Sequence, residues 1–150
     1  GWDRGHRAED SKKLKTDMSG LLYALGCTGD KRAVAAITAK ATELDENNSV
    51  RAFRAVAIAL ERIGDPSGAE ALVNLLTLPG MRNHVVTRAG QLNGGIAELD
   101  ASVREITLAR ALYRCGDKNG IGKAILQEYS ADLRGHFSEH ALAVLAEKRK

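Results

Sequence analysis

The sequence predicts an all-α chain, an α-α superhelix of about three and a half antiparallel helix pairs. Three observations carry this. Apolar residues recur at helical spacing along nearly the whole length, and a Gly-Asp turn returns between them. Aromatic residues make up only 4% of the chain, while alanine and leucine are frequent, a composition suited to closely packed helices.

The clearest unit is the stretch 53–78. Phe53, Val56, Ala57, Leu60 and Ile63 follow intervals of 3, 4 and 7, which put one apolar stripe on a helix spanning about Val50 to Ile63. Gly64 can close that helix in the left-handed conformation, Asp65 can cap the next, and Pro66 suits a first helical position. Ala69, Leu72, Val73, Leu75 and Leu76 give the second helix its apolar face, and Pro79-Gly80 ends it. Ala59-Leu60 and then Gly64-Asp65 match Ala24-Leu25 and Gly29-Asp30 at a shift of 35 residues. Ala111-Leu112 and Gly116-Asp117 match again after 52, with 17 residues extra.

Taken in order, residues 1–10 read as an extended lead-in. Trp2 is the only tryptophan; it suits a plug for the open apolar end of the stack, or a surface on which a ligand stacks. The first pair is expected from about Ser11 to Cys27 and from Lys31 to about Asp45, with Ser49 capping the next helix. The extra residues fall in an insertion at about 81–100, read either as an interaction loop or as a tolerated insertion. Ser102 and Glu105 have capping-box spacing, so the third pair is expected over Val103 to Cys115 and Lys118 to Leu133. Ser138 can cap a last helix through Ala141, Leu142, Val144 and Leu145, which closes the stack.

The formal charge of +3 is mild and its basic residues are interleaved with acids, so nucleic acid is not implied. No apolar run approaches the ~20 residues of a membrane-spanning helix. A soluble piece is expected, cytoplasmic by default, or exported with a parent protein. The opening Gly1-Trp2, without a methionine, suggests a piece processed or excised from a larger protein. Cys27 and Cys115 are too far from other thiols for a CxxC motif and are expected to be free.

His136 and His140 are four apart, a spacing that can place two imidazoles on one helical face. No HExxH accompanies them, and His136 is expected before the helix that carries His140. With His84 they are assigned to hydrogen bonds between repeats or contact with a neighbouring domain, and no metal is assigned. Arg51, Arg54 and Arg62, then Arg104, Arg110 and Arg114, could form a basic stripe for phosphates; Glu61, Glu105 and Asp100 offer them internal partners instead. Asp30, Asp65 and Asp117 are accounted for as helix caps, so no catalytic constellation emerges. The candidate interaction residues are Trp2, Arg54, His84, Arg110, Arg114, Arg134, His136 and His140.

The paired helices, with Val50-Arg51-Ala52, Ala59-Leu60 and Ile63-Gly64-Asp65-Pro66, resemble a HEAT-like repeat of the short kind found in phycobilisome lyases and many bacterial scaffolds. The likeness covers 11–150. Trp2-Asp3, Leu25–Asp30, Phe53–Val56, Leu78–Met81, Leu108–Asp117 and Asp132–Phe137 further resemble the C-terminal helical region of bacterial FAD-dependent oxidoreductases. That resemblance implies a flavin-binding domain elsewhere in a parent polypeptide. The fingerprint G-x-G-x-x-G is absent, since Gly90, Gly94 and Gly95 lack its spacing. FAD is thus implied for the parent by resemblance only, and no cofactor is expected in this chain. The expectation is a non-catalytic accessory domain that docks on, or completes, a catalytic domain of the same polypeptide; the alternative is a free-standing scaffold for another protein.

Overall fold

The computed structural model describes residues 18–148. Among them are seven α-helices and no strand. Helix α1 runs over 18–27 within that range, followed by α2 (Val34–Ala41), α3 (Val50–Ile63), α4 (Ala69–Leu76), α5 (Gly95–Arg114), α6 (Ile121–Tyr129) and α7 (Gly135–Leu145). The lead-in with Trp2, and the expected helix from Ser11 as far as 17, lie outside the described residues.

The odd helices form one layer, α1 beside α3, α3 beside α5 and α5 beside α7. Each even helix packs on the odd helix that follows it, α2 on α3, α4 on α5 and α6 on α7. A single cluster of buried side chains runs through the stack from Leu22 through Phe53, Leu72 and Leu112 to Val144. This is the α-α superhelix that the repeated turns predict.

Local chemistry explains how each helix ends. Gly29, Gly64 and Gly116 all stand at positive φ, 64°, 70° and 93°, where a side chain would strain the backbone. Asp30 then accepts from the Arg32 N–H at 2.9 Å and Asp65 from the Ser67 N–H at 2.9 Å. Each caps a 3₁₀ turn that leads into the even helix. Asp117 caps differently: with Asp117, Asn119 and Gly120 left-handed, its carboxylate reaches past the turn to the N–H groups of Gly122 (2.6 Å) and Lys123 (3.1 Å). These turns delay the starts of α2 and α6 to Val34 and Ile121, and both helices also end early, at Ala41 and Tyr129, so they are shorter than Lys31–Asp45 and Lys118–Leu133.

Three expectations are corrected here. Helix α5 begins at Gly95 and not at Val103, so the second part of the expected 81–100 insertion is helical. Ser102 and Glu105 consequently lie inside α5 and form no capping box: the Ser102 hydroxyl donates to the carbonyls of Glu98 and His84, both at 3.0 Å, and Glu105 accepts from the His84 N–H at 3.3 Å. Helix α7 starts at Gly135, which puts His136 in its first turn and Ser138 inside it, where Ser138 donates to the Gly135 carbonyl at 3.1 Å and caps nothing.

Close helix approach is built on residues without bulk. A Cβ at Gly26 would stand 2.6 Å from the Ala59 Cα, and one at Gly122 would stand 2.7 Å from the Ala109 carbonyl oxygen and 2.8 Å from the Tyr113 nitrogen. Gly122→Ala is therefore expected to lose about 1–3 kcal/mol, the range of overpacking in a tight core, despite alanine's better helix propensity. Urea denaturation of the variant measures this, and an unchanged midpoint would show that α6 can move away from α5.

Candidate functional site

The ionisable residues gather in two places. The first lies along the odd layer, where Glu61, with a side chain only 7% exposed, faces α5. Arg110 and Arg114 are four apart on α5 and so point the same way. Arg110 Nε donates to Glu61 Oε2 at 2.9 Å and its Nη2 to Oε1 at 2.7 Å, while Arg114 Nη1 donates to Oε2 at 3.0 Å. The chain of contacts continues to α7 and its C-terminal edge. Arg110 Nη1 lies 3.3 Å from His140 Nε2, and Arg114 Nε donates to Glu147 Oε2 at 3.1 Å. On the other side Arg62 Nη1 donates to the Cys27 sulfur at 2.6 Å, joining α3 to α1. Every neighbouring pair of odd helices is thus bridged by polar groups.

The electrostatics follow from this crowding. Burial, then the adjacent Arg110 and Arg114, push the His140 imidazole below its ordinary pKa of 6.5. The neutral ring can accept from Arg110 at Nε2. The Arg114 guanidinium holds Glu147 below its usual carboxylate range. A cleft of about 590 Å³ opens beside the network, lined by Glu61, Arg62, Tyr113, Arg114, Glu147 and Lys148 among others.

The second place anchors the irregular segment that crosses from α4 to α5. Asp132, fully buried, accepts from the Val86 N–H at 2.9 Å and from Arg134 through its backbone N–H and guanidinium at 2.8–2.9 Å. Burial alone would raise the Asp132 carboxyl; Arg134 and the two backbone N–H groups outweigh it and hold the pKa low. Arg134 also donates to the His84 carbonyl at 3.0 Å and lies 4.4 Å over the Phe137 ring. The Leu133 N–H donates to the Val86 carbonyl at 2.8 Å. The segment is clamped from both sides.

Of the candidate residues, the structure joins Arg110, Arg114 and His140 in the first network and His84 and Arg134 in the second. His84 contributes its backbone there, and its ring reaches the Gly80 carbonyl at 2.7 Å and Glu98 at 3.4 Å. His136 is exposed and lies tilted against Phe137 with ring centroids 4.2 Å apart, while His140 meets Arg110, so the two do not share a site. Arg54 is exposed and makes no ion pair among the described residues. Trp2 lies outside them. No group of three metal-ligating side chains comes together among the described residues. Arg104 donates to the Gly80 carbonyl at 3.1 Å and lies 5.3 Å over Phe53, so the arginines of α5 do not line up as a free basic stripe.

Sequence reasoning missed Asp132 and Glu147, each of which holds an arginine. The signal for Asp132 was its place two residues before Arg134. The thiols behave as free groups, Cys27 exposed and Cys115 buried. Burial, with Glu61 and Asp65 nearby, pushes Cys115 up to about 12, and a protonated, enclosed thiol is a poor nucleophile.

Residues 52–77, which contain α3 from its third residue, the Gly64-Asp65-Pro66 turn and α4, match the family model of the PBS lyase HEAT-like repeat. No curated protein and no solved structure matches the chain. The chain is an all-α superhelix that contains a HEAT-like repeat. None of its described helices is long and apolar enough to cross a membrane.

Stability measurements test these assignments. Glu61→Ala takes from Arg110 its only carboxylate among the described residues and leaves Arg114 with Glu147. It is expected to cost about 2–3 kcal/mol, below the 3–5 of a fully buried pair because Arg114 keeps a partner and reaches water. Arg54→Ala should stay within about 0.5 kcal/mol of the parent in the same urea titration. Because the folded pKa of His140 is depressed, the unfolded chain binds the extra proton first, and stability falls as pH drops below about 6.5. Glu147 and Asp132, also depressed, add a second loss below the usual carboxylate range. His140→Gln should remove the first loss and leave the second, as read from melting temperature against pH.

Proposed function

We propose that this chain is a docking module: a helical-repeat domain that presents a folded surface to another protein and carries no reaction of its own. The observation that supports this most directly is the mutual engagement of its ionisable groups. Glu61, Arg110, Arg114, His140 and Glu147 satisfy one another, and Asp132 and Arg134 hold a backbone segment. What remains to offer is surface. HEAT-like repeats often mediate protein interactions, which agrees with this reading.

The finer proposal is that the partner is the catalytic domain of the same polypeptide, in a bacterial FAD-dependent oxidoreductase whose C-terminal part this chain would be. It rests on the resemblance of Leu108–Asp117 and Asp132–Phe137 to that family. In this reading the flavin-binding domain lies elsewhere in that polypeptide, as the resemblance implies. The alternative is a free-standing scaffold. Blotting an extract of the source cells with an antibody against the chain separates them. A band several times larger than 16.1 kDa, from a protein that absorbs as a flavin, is the expected result. A band near 16.1 kDa would discard the oxidoreductase parent and leave the scaffold.

A further inference from the structure

Helix α5 has 20 residues, against 14 in α3 and 8 in α4. At 1.5 Å per residue it is roughly 30 Å long, and its first turns outrun the neighbours that bury the rest of it. Residues 94–100 are all exposed, whereas 105–109 are all buried. Within this overhang Ile96 is 79% exposed and Leu99 40%, and Leu92 in the preceding turn is 50% exposed. They are three of the six large hydrophobic side chains exposed among the described residues.

Ile96, Leu99 and Val103 follow intervals of three and four, so they share one helical face. Val103 packs against the core. The exposed pair therefore continues a core-facing stripe past the end of the stack, where the described residues supply nothing to cover it. The overhang is held in place at its base: Ser102 ties Glu98 to His84, and Glu98 faces the His84 ring at 3.4 Å. A partner would meet a preformed helix and would not have to order one.

Charge narrows the occupant. From Ala89 to Val103 the chain has two acids, Glu98 and Asp100, and no lysine or arginine, in a protein of net charge +3. Glu98 is turned to His84, while Asp100, beside the apolar pair, is exposed and makes no ion pair among the described residues. We propose that the α5 overhang, with Ile96 and Leu99 as its apolar contacts and Asp100 as its charge, docks a partner-protein helix whose apolar stripe is flanked by lysine or arginine. A second copy would set acid against acid. This inference rests on the docking reading and names the surface and partner chemistry for it.

The probe is a synthetic amphipathic helix of leucine and lysine, about four turns long, titrated into the full isotope-labelled chain and followed by amide chemical shifts. Its counterpart carries glutamate in place of lysine. Shifts confined to 92–103, with the lysine peptide bound at least about tenfold more tightly, are the expected result. Ile96→Ser with Leu99→Ser should abolish the shifts, and Asp100→Lys should remove the preference for lysine. Both variants alter exposed side chains, and circular dichroism would verify their folding. Binding elsewhere on the stack, equal binding of both peptides, or no binding of either would overturn the assignment while leaving a docking function on another face intact. A dimer of the chain that dissolves on Ile96→Ser would also overturn it, by making the stripe a self-interface. The docking reading itself fails separately, if the native polypeptide cross-links to no protein and to no other part of its own chain.

Discussion

Helix backbones in this stack nearly touch, and the rest of the structure depends on that spacing. Gly26 against Ala59 and Gly122 against Ala109 leave no room for a Cβ, and Ala55, Ala57, Ala109 and Ala111 are fully buried. Large side chains at these positions would push the helices apart. At the observed separation Glu61 reaches Arg110 and Arg114 of α5, and those two arginines reach α7 and Glu147. The ladder of ion pairs runs across α3, α5 and the end of α7, and it adds direction to a packing of small residues that apolar contact alone would leave free to slide.

The repeat was legible because its signals are local. A glycine at positive φ, an aspartate cap and an apolar stripe each act within a few residues. The turns at Gly29-Asp30 and Gly64-Asp65 fold as their sequence implies, while at Gly116-Asp117 the glycine does so and the aspartate reaches past a left-handed turn to α6. What sequence misjudged was set by distant contacts. Ser102 and Glu105 have the spacing of a capping box, yet the backbone of His84, some 20 residues away, claims both of them in the interior of α5. The start of α5 at Gly95 was hidden behind Gly94-Gly95, which read as a loop. The spacing of Ile96, Leu99 and Val103 carried the missing information.

The candidate residues were read less well than the fold, and for a related reason. Arginine at a regular interval is equally consistent with a phosphate stripe and with a bridge between helices. Only the position of Glu61 decides for Arg110 and Arg114. His136 and His140 share a helix but look in different directions, toward Phe137 and toward Arg110. The structure thereby separates a body whose polar groups face inward on one another from an overhang whose apolar and acidic groups face out.

Native-state hydrogen exchange on the isolated chain tests that separation most directly. Amides in the part of α5 that carries Arg110, and those of α3, should exchange only with global unfolding, while those of 95–100 should exchange through local opening at a much smaller free energy. Equal protection along all of α5 would contradict the division, because the overhang would then belong to the cooperative body of the stack. Early exchange around Glu61 and Arg110 would contradict it from the other side, by showing that the ladder does not hold the odd helices together.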